Sequence, residues 1–179
     1  MESIGKKKVY WVADMFIKDV SKDKPYRGIE RKGILLSVLH GRGLREYTQL
    51  FDSDGFIPYS VKNVVTLRRL CKPFSQCEII LYGKDNQAIL DGEQACFLGF
   101  DVSGDSQHLS VIHRIYYECQ DKHFYAENYN NYLEKLNSNG LFGNYSDASS
   151  FICSIDSIIN KVCLDCDGDL YPQYVYCLV

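Results

Sequence analysis

The order of pattern types along the chain predicts an α+β fold. The expected form is a single domain over residues 1–179, with a largely antiparallel sheet and helices packed on one face. Three observations predict it. Segments rich in β-branched and aromatic residues fill most of the first hundred positions, helical spacing dominates after about residue 128, and the chain closes on another strand-like run. Strands grouped ahead of helices favour layers that are segregated rather than alternating. With 179 residues, 46% of them apolar and 24% charged, the chain can bury a core.

The elements follow in order. "KKVYWVADMFIKDV" reads as a first strand. "KDKPYRG" is a turn punctuated by Pro25 and Gly28. "IERKGILLSVLHG" is a second strand region, in which Gly33 marks a bulge candidate. "LREYTQLF" places Leu44, Tyr47, Leu50 and Phe51 at helical spacing, and "DSDGFIPYS" is again a turn. "VKNVVTLRRL" suits strand or helix. "CEIILYG" and "AILDGEQACFLGFDV" read as strands, with Asp85-Asn86 between them as a hairpin turn.

Tyr129, Tyr132, Leu133 and Leu136 then share one helical face, which predicts a helix over 128–139 stopped by Asn139-Gly140. A continuous stripe from Ala148 through Phe151, Ile155 and Ile159 to Val162 predicts a second helix over 147–162. Ser146 or Asp147 would cap it, and Phe151, Ile155 and Ile159 would be buried against the sheet. "YPQYVYCLV" is the final strand.

Charge and compartment narrow the function classes. The formal net charge is −3, which argues against binding nucleic acid through a bulk basic field and leaves room for a basic protein partner. The stretch after Lys8 is broken by Asp14 and Lys18, so it lacks the apolar core of a secretory signal. No run approaches the roughly 18 apolar residues of a membrane span. The expectation is a soluble cytoplasmic protein with no membrane partner. Eight cysteines, at 71, 77, 96, 119, 153, 163, 166 and 177, would then mostly be reduced and packed as small hydrophobes.

The closing segment "KVCLDCDGDLYPQYVYCLV" invites sharper chemistry. Cys163 and Cys166 have Cys-x-x-Cys spacing, but they follow a helix, where the dipole opposes a thiolate, and four zinc ligands do not gather around them. Cys71 and Cys77 are spaced wrongly for a second half-site, so Cys163, Cys166 and Cys177 are expected reduced and metal-free. Asp165, Asp167 and Asp169 resemble a calcium loop, yet Gly168 falls at its fourth position and Tyr176 at its twelfth, so the pattern fails twice. A solvated acidic turn is the simpler reading.

His108 and His113 are five residues apart, unlike a helical metal pair. "HGRG" at 40–43 lacks the lysine of a phosphate loop, and no nucleophile elbow is present. Lys6, Lys7 and Lys8, then Arg27, Arg31 and Lys32, then Arg68 and Arg69 are basic groups on solvated faces. Tyr10, Trp11 and Tyr26 give only a thin case for stacking RNA bases. No catalytic, cofactor-binding or metal-ligating residue is expected, and no cofactor.

Three stretches carry a resemblance: "FLGFDVSGDSQHLS" (97–110), "LNSNGLFGNYSDASSF" (136–151) and the closing "YPQYVYCLV". Taken together they resemble a group of bacterial immunity proteins encoded beside polymorphic toxins, including contact-dependent growth inhibition systems. The match covers about half of the chain. The resemblance implies a non-enzymatic cytosolic protein that binds and neutralises one cognate toxin domain, a basic nuclease, without touching nucleic acid itself. Acidic groups in two polar turns, Asp101 and Asp105 with Asp165, Asp167 and Asp169, are the expected partner-binding residues, since an acidic patch over a basic active site speeds encounter. The rival from another class is a small cytosolic enzyme acting on a nucleotide or nucleic acid, with His40, His113 or His123 as general base.

Overall fold

The computed structural model describes residues 11–18, 31–33, 39–75, 77–83, 93–104, 110–112, 131–162 and 170–179. In chain order these form β1 (Val12–Lys18), β2 (Arg31–Gly33), α1 (Arg42–Thr48), α2 (Val61–Cys71), β3 (Cys77–Gly83), β4 (Ala95–Ser103), α3 (Tyr145–Val162) and β5 (Tyr171–Leu178). The strands make one five-stranded sheet in the order β2-β1-β3-β5-β4, and every pairing is antiparallel. The α+β fold expected from the sequence is therefore the fold observed.

The register decides which residues meet the helices. Ala13 lies opposite Leu81, Met15 opposite Ile79, and Ile79 opposite Leu178. These side chains share one face of the sheet, because alternate strand residues point the same way. Val64, Leu67 and Leu70 of α2 and Tyr47 of α1 close over them as one core. On the same face, α3 lays Ala148, Phe151 and Ile155 over Phe100 and Val102 of β4. Each large aliphatic or aromatic side chain so withdrawn from water is worth roughly 1.5–3 kcal/mol. On the other face, Ile80 and Val175 are covered by Leu141.

Local chemistry explains the helix ends. Ser60 caps α2, its hydroxyl accepting the Asn63 N–H at 3.2 Å. The segment "VKNVVTLRRL" is thus settled as helix. Its apolar positions 64, 67, 70 and 71 are buried together, a 3.6-residue period that a strand could not satisfy. The start of α3 corrects one expectation. The capping side chain is Asn144, not Ser146 or Asp147: its Oδ1 accepts the Asp147 N–H at 2.9 Å, and its amide donates to the Asp147 carboxylate at 2.6 Å. The expected burial of Phe151 and Ile155 is observed; the Ile159 side chain lies outside the described residues.

Two further expectations change. The helix expected over 128–139 is helical, among its described residues, only at 131–133. Asn137 ends it by competing for backbone groups. Its Oδ1 accepts the N–H of Asn139 at 2.8 Å and of Leu141 at 3.3 Å, while its amide donates to the Leu98 carbonyl at 2.8 Å. Gly140, at φ 68°, turns the chain back so that Leu136 bridges Phe142 rather than capping a helix. Secondly, β3 and β4 form no hairpin with each other, because β5 lies between them. The Asp85-Asn86 turn and the "KDKPYRG" turn lie outside the described residues, and no bulge occurs at Gly33, which pairs directly with Phe16.

Candidate recognition surface

The bulge in this sheet falls in β4. The register shifts between Phe97 and Gly99, leaving Leu98 as the extra residue. Gly99 sits at φ 139°, which side-chain-bearing residues rarely adopt, and a Cβ there would lie 2.8 Å from Leu141 Cβ and 2.8 Å from the Phe142 carbonyl oxygen. The consequence is positional. Regular alternation would put Phe97 and Phe100 on opposite faces, but the extra residue brings both to the helix-bearing face, with ring centroids 5.1 Å apart.

Next to them, β5 contributes Tyr174 and Tyr176, opposite Phe100 and Phe97 respectively. The rings form a continuous chain. Trp11 meets Tyr176 edge-on at 5.5 Å, Tyr176 meets Phe97 at 5.2 Å, and Phe100 meets Tyr174 at 4.8 Å and Tyr145 at 5.7 Å. Edge-to-face packing of this kind fixes ring orientation beyond what area burial alone would do. The strip is open in its middle and at its far end: Phe97 is 45% exposed and Tyr145, in the first turn of α3, 51%. Burial of its ring raises the Tyr176 phenol above the ordinary tyrosine value, with the neighbouring Tyr174 adding to the effect.

The flank is set by α2. Val61 and Val65, one turn apart, are 62% and 61% exposed. Arg68 continues that row and donates to Glu93, ahead of β4, at 2.6 Å and to the Val179 carbonyl, after β5, at 3.0 Å. Tyr174 and Tyr176 of the strip pack against the core that α2 covers. The outer surface of α1 and α2 is basic. Glu46 pairs with Arg42 at 2.7 Å and with Arg69, and these two hydrogen bonds hold its carboxyl below the usual glutamate range. Arg45, Lys62 and Lys72 are also exposed there.

The acidic residues expected to face a partner fall elsewhere. Asp101 is only 6% exposed, on the face opposite the strip. Its Oδ1 accepts the Val102 N–H at 2.8 Å and the Ser110 hydroxyl at 2.6 Å. It works as an internal tie between β4 and the segment at 110, so the expectation of an outward carboxylate is corrected at this position. Asp105, Asp165, Asp167 and Asp169 lie outside the described residues, as do His108, His113, His123, Cys119, Cys163 and Cys166. His40 is exposed just ahead of α1.

Cysteine usage also departs from expectation. Cys71 and Cys77 are joined by a disulfide, with Cα atoms 5.5 Å apart, and Cys96 and Cys153 are free and exposed rather than packed inside. Among the described residues no cluster of three metal-ligating side chains occurs, and no helix is long and apolar enough to cross a membrane.

A second polar feature is internal. Asp14, on β1, accepts the Tyr47 hydroxyl at 2.5 Å and the Met15 N–H at 2.7 Å. Burial raises its carboxyl above the ordinary aspartate value despite both hydrogen bonds, and raises the Tyr47 phenol further. The pair ties α1 to β1.

The strip escaped the sequence reading because its four strand residues belong to two segments whose adjacency is not local. The available signal was the alternation of Tyr174 and Tyr176, and a glycine set between Phe97 and Phe100. Comparison with protein-family models, with curated proteins and with solved structures finds no match to this chain.

Proposed function

We propose that the chain is a non-enzymatic binding protein of the immunity type, which recognises one cognate protein toxin and blocks it. The observation that carries the binding reading is the aromatic strip: Phe97, Tyr174, Tyr176 and Tyr145 are held rigidly by ring contacts and partly open to solvent. Interfaces concentrate their affinity in such residues, because large rigid aromatics bury much area and lose little rotamer entropy. The toxin as partner rests on the sequence resemblance alone.

Charge modifies the expected mode of contact. The outer surface of α1 and α2 is basic, through Arg45, Lys62 and Lys72, so this side of the sheet suits a partner face that is apolar with an acidic rim. Asp165, Asp167 and Asp169, the acidic residues expected from the sequence, would serve a basic toxin surface.

The test is co-expression with the product of the adjacent gene, followed by affinity capture and a growth assay. Rescue of growth by the wild-type chain, with rescue and capture lost in a Phe97→Ala/Tyr145→Ala double variant of unchanged circular dichroism, is the expected result. Capture that survives the double variant, with rescue intact, would remove the strip from the interface.

A further inference from the structure

The disulfide sits where a simple staple has little to do. Cys71 is the last residue of α2 and Cys77 the first of β3, so the bond closes a loop of only five intervening residues, 72–76. Short loops gain least from cross-linking, because the unfolded chain loses little freedom. The same junction is already held by hydrogen bonds, Phe74 N–H to the Cys71 carbonyl at 2.9 Å and Cys77 N–H to the Phe74 carbonyl at 3.1 Å. Beyond it, β3 is locked between β1 and β5. The fold on either side of the bond therefore has support of its own.

Both cysteines also line an open cleft of about 250 Å³, together with Arg68, Lys72, Phe74 and Glu78. Two cations lie within one turn of Cys71. The C-terminal end of α2 disfavours a thiolate, and Lys72 opposes that effect; Arg68 is already paired with Glu93, so Lys72, beside Glu78, is the cation that an anionic thiol would meet. Cys77 is the less buried of the two, so its sulfur is the one an incoming reagent meets.

We infer that the Cys71–Cys77 pair is a reversible thiol–disulfide exchange site whose cleft takes an anionic low-molecular-weight thiol. The chemistry balances as two successive displacements. A thiolate attacks Cys77 Sγ, forming a mixed disulfide and releasing Cys71 as a thiolate beside Lys72. A second thiolate attacks the sulfur of the bound small thiol, releasing Cys77 as a thiolate and leaving the reagent as its own disulfide. Two electrons pass from two small thiols to the protein pair, and the two protein thiolates then take up protons from solvent according to their pKa. The redundancy of this bond suits a transient or sensing disulfide better than a staple.

The experiment uses the full chain with reduced glutathione as the anionic probe and cysteamine as a cationic one, matched for thiolate concentration. Site-resolved alkylation and peptide mass measurement report each cysteine, and near-ultraviolet circular dichroism reports packing. The expected result is opening of the Cys71–Cys77 bond with the dichroism retained. Glutathione should react several-fold faster than cysteamine, an advantage reduced in Lys72→Gln. In Cys71→Ser, oxidised glutathione should modify Cys77. A bond that resists millimolar glutathione while the chain is folded, or that opens only as the dichroism collapses, overturns the proposal and leaves a staple. Equal rates for the two probes overturn the anionic ligand class.

Discussion

One face of one sheet carries two contrasting regions. Over β1 and β3 the floor is Ala13, Met15, Ile79 and Leu81, and α1 and α2 close on it until each of these residues is at most 5% exposed. Over β4 and β5 the floor is Phe97, Phe100, Tyr174 and Tyr176, and α3 covers the Phe100 end while Phe97 stays 45% exposed. Small and aliphatic side chains let a helix approach and seal; stacked rings make a surface that stays ordered by contact with itself. The first region holds the fold, and the second is free to be used.

Mutations can break that comparison, starting with the largest effect. Leu81→Ala or Leu67→Ala in the sealed region should cost about 2–5 kcal/mol, read from the shift of the urea midpoint. A cost under about 1 kcal/mol would mean that the α1–α2 core is loosely filled. Gly99→Ala should follow at roughly 2–3 kcal/mol, since it combines a forbidden backbone angle with a collision against Leu141 and Phe142. It should also turn Phe97 away from its partners, lowering near-ultraviolet dichroism. Asn144→Ala should cost about 1 kcal/mol by uncapping α3. Phe97→Ala should be the mildest for stability, about 1 kcal/mol or less, yet the most damaging for partner capture; a large stability loss would place the strip in the sealed class.

The Asp14–Tyr47 tie sharpens the comparison through pH. Burial raises the Asp14 carboxyl in the folded state, so the folded chain holds this proton more tightly than the unfolded one. That contribution to stability is full below the ordinary aspartate value of 3.8 and is lost as pH rises through the folded value. The stability of Asp14→Asn relative to wild type should therefore grow more favourable as pH rises from about 3 to 7, measured by urea unfolding across that range. A difference that is flat with pH would show that Asp14 is hydrated rather than buried.

Legibility in the sequence was uneven for identifiable reasons. Residues 145–162 were readable because a helical stripe is written within a few turns; its cap was misplaced by two or three residues because Asn144, Ser146 and Asp147 are all competent acceptors. Asp101 looked like a surface charge because it precedes a polar turn, and nothing local announces the Ser110 hydroxyl that buries it. The Cys71–Cys77 bond needed the junction of α2 and β3 to bring the two sulfurs together, which spacing alone does not state.

By itself the sequence determined the strand-forming segments, the long helix, the antiparallel α+β class and the absence of any long apolar run. These follow from periodicity and residue preference, which act over a few neighbours. Only the tertiary structure decided that β5 enters between β3 and β4, and that the Leu98 bulge turns Phe97 onto the helix-bearing face. Pairing across about 75 residues is chosen by the burial it allows in total, and no local pattern encodes that sum.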